Sequence, residues 1–126
     1  MVPETHPAEK AEFQPTRQGT KHFWKLDDRE RQELIRTNPL CGHIVCRCER
    51  VSEGEIVDVL HRGIPANSVD AVKRRTRAGL GRCQGGFCMP RVMEIISRET
   101  NIQKDLITKR GGKSFILSGR TKRGER

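Results

Sequence analysis

Four of the five cysteines fall into two tight pairs, Cys46-Arg47-Cys48 and Cys83-Gln84-Gly85-Gly86-Phe87-Cys88, with 34 residues between Cys48 and Cys83. Thiolates that converge on one point hold a metal centre, either structural zinc or an iron–sulfur cluster. Structural zinc sites are usually assembled from Cys-x2-Cys knuckles, whereas the halves here are Cys-x-Cys and Cys-x4-Cys. Spacing therefore leans toward iron–sulfur and leaves a zinc-stapled interaction module open. A disulfide framework fits poorly, because five is an odd count and a reducing cytoplasm favours ligands over bridges. Cys41, the cysteine left over, reads as a small, partly buried residue.

The 126 residues allow one small domain with tails, and 33% hydrophobic content is low for a core that must stabilise it alone. Domains below roughly 70–80 residues commonly recruit a metal, which suits a cysteine-bearing segment of about that size. No apolar run approaches the ~20 residues that span a bilayer. Met1 to Lys10 is polar, without a signal's hydrophobic region, so the expectation is a soluble cytoplasmic chain with no transmembrane segment.

The formal charge of +9 raises the question of nucleic acid or acidic partners. Its densest stretch is Lys73-Arg74-Arg75-Thr76-Arg77, followed by Arg82 and Arg91. With four Phe, one Trp and no Tyr, the chain lacks the aromatic interleaving of single-strand binders, and no nucleic acid is expected.

The elements that must position the cysteines follow from turn and cap signals. Residues 1–25 read as a flexible leader, with Pro3, Pro7, Pro15 and Gly19 among polar residues. Residues 26–40 read as a connector helix with acidic residues in its first turn, Arg36 near its end and Pro39 as its stop. His43-Ile44-Val45 is a short β-prone run entering the first pair. Ser52 with Glu55 is a capping-box pattern, so a helix is expected immediately after that pair, ending at Gly63 and Pro65. Ser68 and Asp70 start another over Val69 to Ala78, with Val69, Val72 and Thr76 inward and Gly79 and Gly81 as its end. Pro90 opens a third, to about Glu99, with Val92, Met93, Ile95 and Ile96 as its apolar face. Both pairs are thus expected beside helix N-termini. The expected domain runs over 41–104, and 105–126 holds a C-terminal β-hairpin around Gly111-Gly112 and then a basic tail. An isolated hairpin is marginal, so this one is expected to dock on something larger.

Helix N-termini favour thiolates and the anionic cluster they form. Gly79, Gly81, Gly85 and Gly86 let backbone amides approach sulfur, while Arg47, Arg82 and Lys73 to Arg77 offset charge at longer range. His43 lies near enough to Cys46 to stand in for a thiolate, though four cysteines make that unnecessary, and His61 reads as a surface residue at a helix end. Glu49, Glu53 and Glu55 read as helix-start residues.

Ile44-Val45-Cys46-Arg47-Cys48-Glu49, Glu53-Gly54-Glu55-Ile56 and the run from Val72 through Gly79-Leu80-Gly81-Arg82-Cys83 to Cys88 closely resemble the [2Fe–2S]-binding domain related to bacterioferritin-associated ferredoxin. More narrowly, they resemble its version at the C-terminus of FAD-dependent, anaerobic-type glycerol-3-phosphate dehydrogenases and related flavoprotein oxidoreductases. Phe13 to Pro39 is similar to the connector that enters this domain, and Thr108-Lys109-Arg110-Gly111-Gly112 to the ending of such enzymes. The small ferredoxin uses Cys-x2-Cys for its second pair. The dehydrogenase branch uses the Cys-x4-Cys found here, and Cys41 stands where members often carry an aromatic residue.

The resemblance implies a mainly α, helix-turn-helix BFD-like [2Fe-2S] domain with a short strand before the first pair. It also implies Cys46, Cys48, Cys83 and Cys88 as cluster ligands and FAD only on a partner chain. The partners it implies are a downstream electron acceptor and a flavoprotein dehydrogenase subunit, with membrane association only through them. No Gly-x-Gly-x-x-Gly fingerprint for FAD occurs, so substrate oxidation on this chain alone is not expected, whether it is a separate subunit or a C-terminal fragment.

Overall fold

The computed structural model describes residues 11–13, 15–16 and 18–119. The first ten residues, His6 among them, and the basic tail beyond Gly119 lie outside the described residues. The described residues fold as a mainly α domain of four helices and one two-stranded antiparallel sheet.

Helix α1 (Asp28–Thr37) starts where Asp27 and Glu30 form a reciprocal capping box. It stops one residue before the Asn38-Pro39 step, since Asn38 must be extended ahead of proline. The Arg31 guanidinium donates to the Phe23 and Trp24 carbonyls and lies 5.6 Å from the Phe23 ring, fastening the preceding chain to α1. A single 3₁₀ turn, Pro39–Gly42, then buries Cys41. Gly54 lies so close that a Cβ there would overlap the Cys41 sulfur. The spare cysteine is thus a packed residue, its thiol pKa raised by burial and by Glu55 and Asp58.

Strands β1 (Ile44–Cys46) and β2 (Val51–Ser52) pair with Cys46 opposite Val51, and Arg50 closes their turn at φ 52°. Helix α2 (Glu53–Leu60) begins at Ser52, whose buried amide and hydroxyl each donate 2.9 Å to Glu55. Its inner residues Ile56, Val59 and Leu60 pack at the centre of the domain. Full burial of side chains of this size contributes about 1.5–3 kcal/mol each. The helix ends before Gly63 and Pro65 because Arg62 folds back onto Asp58 at 2.7 Å and the Ala66 amide turns in to the Val59 carbonyl.

Helix α3 (Val69–Thr76) is capped by Ser68 and buries Val69, Val72 and Thr76, as expected. It stops short of Ala78 because Arg77, rather than Gly79, takes the left-handed cap at φ 72°. Helix α4 (Met89–Thr100) has Pro90 in its first turn, buries Val92, Met93, Ile95 and Ile96, and ends at left-handed Asn101. The anticipated C-terminal hairpin is reduced to one bridge, Thr108 to Phe115, across the Gly111-Gly112 turn. It docks on this same domain. The Thr108 and Lys109 carbonyls accept from the Val69 and Asp70 amides at 3.2 and 2.8 Å, satisfying the open end of α3, and Ile107 enters the core.

Candidate metal centre

The β1–β2 hairpin delivers Cys46 from the end of a strand and Cys48 from its turn, and the loop between α3 and α4 delivers Cys83 and Cys88. All four line one open cleft, which Arg47, Arg82 and Arg91 share. The Cys48 and Cys83 sulfurs are 3.6 Å apart at its mouth, while Cys46 and Cys88 are buried at its base. Two cysteine pairs with 34 residues between them are thus brought to one place as an outer and an inner pair. Among the described residues, no three His, Cys, Asp or Glu side chains converge as the ligands of a single ion would.

Only the second cysteine pair stands at a helix N-terminus, where Cys88 is the residue preceding α4. The helix after the first pair starts where the Ser52 capping box puts it, at Glu53, with the turn at 47–50 and β2 between it and Cys48. Backbone geometry supplies further donors at Cys83. The left-handed backbone of Gln84 and Gly85, at φ 49° and 86°, curls the loop around the sulfur. The Phe87 amide, then the Cys48 thiol and the Gly85 and Gly86 amides, hold the Cys83 pKa below the ordinary thiol value. Cys88 behaves oppositely: burial first, and then Cys46 and Cys83, push its thiol up to about 11. A bound metal cation reverses that penalty, because a coordinating thiol is deprotonated outright. Four thiols, converging amides and nearby arginines form a donor set that fits an anionic iron–sulfur cluster.

Residues 44–98 match the family model described as "BFD-like [2Fe-2S] binding domain". That stretch spans both cysteine pairs and the helices between and after them. Residues 44–98 belong to this family. The BFD-like domain binds a [2Fe-2S] cluster and is an iron–sulfur electron-transfer unit. The chain is 50% identical over 113 residues to a glycerol 3-phosphate dehydrogenase of Caloramator mitchellensis, covering 90% of this chain and 24% of that protein. It is 32% identical over 97 residues to hydrogen cyanide synthase subunit HcnB of Pseudomonas aeruginosa, covering 77% of this chain and 19% of that protein. It is 38% identical over 55 residues to a chain of the anaerobic glycerol-3-phosphate dehydrogenase of Escherichia coli K12, covering 44% of this chain and 10% of that protein. The chain thus spans about a quarter or less of the length of these relatives. No solved structure matches it.

The basic residues of the BFD-like domain divide by position. Arg77 pairs with Glu49 at 2.7 Å and Arg75 donates to the Ile64 carbonyl, so this part of the Lys73–Arg77 run braces loops. Arg47, Arg82 and Arg91 are the cations lining the thiol cleft. Glu55 is the helix-start residue anticipated, with His22 an added partner at 3.2 Å. His61 lies at the end of α2 and meets Glu99 at 2.8 Å.

Glu53 is more than a helix-start residue. Its buried carboxylate accepts from Arg98 at 2.6 Å and Arg91 at 3.2 Å, with exposed His43 3.5 Å away. This group joins the start of α2 to two turns of α4 beside the cleft. The spacing of Arg91 and Arg98 on one helix face was its only sequence signal.

The close approach anticipated at the glycines is sharpest at Gly81, where a Cβ would overlap the Cys48 Cβ. Gly81→Ala is expected to displace the Cys48 turn, cutting iron content severalfold and destabilising the fold by about 1–3 kcal/mol. Iron and sulfide analysis with a thermal melt checks this, and unaltered values in both would show that the contact does not position Cys48.

Proposed function

We propose that Cys46, Cys48, Cys83 and Cys88 hold the [2Fe-2S] cluster and that the chain is the electron-transfer part of an FAD-dependent oxidoreductase resembling glycerol-3-phosphate dehydrogenase. The flavin belongs to a partner chain or body, and electrons pass between it and a downstream acceptor. When bound, such a cluster supplies a one-electron relay. The observation that carries this reading is the meeting of the two cysteine segments, Cys48 3.6 Å from Cys83, inside a [2Fe-2S]-domain match. The 50% identity to a glycerol 3-phosphate dehydrogenase supports the substrate class.

The residues then have distinct tasks. Cys46 and Cys88 anchor the inner side, Cys83 is held toward thiolate by loop amides, and Arg47 and Arg82 offset negative charge at the mouth. We place the chain in the cytoplasm, where thiols stay reduced, with any membrane contact made through its partners. No described helix is long and apolar enough to cross a membrane.

The test is anaerobic purification of the native protein with whatever accompanies it, followed by metal and flavin analysis. The expected sample is red-brown, carries iron and sulfide in equal amounts, retains a flavoprotein, and loses visible absorbance when glycerol 3-phosphate is added. A colourless protein carrying zinc overturns the cluster assignment. Flavin that is reduced while the cluster stays oxidised through turnover overturns electron transfer.

A further inference from the structure

The thiol cleft meets solvent at Cys48 and Cys83, and the surface around that edge has an unusual composition. Phe87, inside the Cys-x4-Cys loop, is 89% exposed, and Ile44 on the facing hairpin is 41% exposed. Both line the cleft, as do Arg47 and Arg82, which are exposed. Among the described residues, neither Arg47 nor Arg82 has a carboxylate within salt-bridge distance, whereas Arg77 and Arg91 are paired. An aromatic and a β-branched side chain flanked by uncommitted guanidinium groups has the make-up of an interface centre with a charged rim. The chain's charge of +9 adds a long-range preference for negative surfaces.

We infer that this rim is the docking surface for the acidic face of a redox protein, with Phe87 and Ile44 as its apolar centre and Arg47 and Arg82 as its cationic clamps. The inference rests on the electron-transfer reading above for the identity of the partner as a redox protein. Charge complementarity selects an acidic occupant, since a basic surface would meet two arginines that have no carboxylate partner among the described residues. Nucleic acid fits less well, because one exposed ring is not a succession of stacking platforms.

The test measures binding of the full chain to an acidic flavodoxin, with a basic cytochrome c as control, by calorimetry at low and physiological salt. Flavodoxin is expected to bind and cytochrome c not to, with affinity falling about tenfold as salt rises. The double variant R47E/R82E should weaken flavodoxin binding about tenfold or more, and Phe87→Ala about fivefold with little change in salt slope. The double variant R110E/K113E carries the same charge change on the Gly111-Gly112 turn, whose Arg110 and Lys113 do not line the thiol cleft, and should leave Kd within about twofold. Circular dichroism melts identify any variant that fails to fold; for such a variant, R47Q/R82Q gives the reading.

Equal affinity for both proteins, or equal losses from the rim and turn variants, overturns the docking surface. Tighter binding of a single-stranded oligonucleotide than of flavodoxin overturns it as well. Iron analysis of the same samples separates the two readings. Iron-loaded protein without a flavodoxin preference rejects the surface alone, whereas iron-free protein rejects the cluster reading while its affinities are still scored.

Discussion

Cys83→Ala is expected to yield a colourless chain whose iron and sulfide fall from two of each to near zero, with the protein still able to form most of its helices. The position is informative because Cys83 is partly exposed at the mouth of the cleft, so removal of its sulfur sacrifices little packing. Its loop is held by its own hydrogen bonds, Gln84 to Gly81 and Gly86 to Cys83, both at 2.9 Å between backbone atoms. Loss of iron would therefore report ligation rather than collapse. Because binding to the native state stabilises it by mass action, the melting temperature should fall to that of the chelator-treated parent. Cys41→Ala is the matched control. Its sulfur packs against Gly54 on the other side of α2's start, so it should keep full iron content with a modest loss of stability from the small cavity. Full iron in Cys83→Ala, or its loss in Cys41→Ala, would remove the proposed ligand set.

The parts of this centre that rest on local chemistry were legible in the sequence. Ser52 with Glu55, Ser68 ahead of Val69 and Pro90 in a first turn each act over a few residues, and the helices start where those signals stand. The apolar face of α4 was equally readable because a helical period needs no knowledge of what it packs against. Helix ends were harder, for a physical reason. Arg50 and Arg77 occupy left-handed positions that glycine more often fills, and no residue type announced them. The turn and second strand after Cys48 depend on Cys46 finding Val51, a pairing that competes with direct entry into α2. The division of the thiols into a buried pair and a more accessible one depends on that same hairpin meeting a loop 35 positions after Cys48. Paired cysteines could be read as a metal centre from spacing and the cluster type came from the family resemblance, whereas the direction in which the site faces solvent could be read from neither.

Glu53→Ala is expected to lower stability by about 2 kcal/mol and to flatten the protein's response to acid. Breaking a buried ion pair costs about 3–5 kcal/mol when the remaining charge stays buried. Here the Glu53 side chain is 2% exposed but Arg91 and Arg98 are 50% and 46% exposed, so water recovers much of their charge and the smaller figure applies. Burial by itself would raise the Glu53 pKa. Hydrogen bonds from Arg98 and Arg91 outweigh it and hold the carboxyl below the ordinary value of 4.5. A carboxyl depressed in the folded state favours folding above that ordinary value, and its contribution disappears as pH falls through the lower, folded-state pKa. Melts between neutral and strongly acidic pH should therefore show the parent losing stability across that window, with Glu53→Gln losing less because its amide does not titrate there. Glu53→Gln also keeps the side-chain volume, which separates lost charge from lost packing. Parallel acid profiles for the parent and Glu53→Gln would show that the arginine pairs at Glu53 contribute nothing to joining α2 to α4, and that Arg91 is held beside the thiol cleft by other contacts.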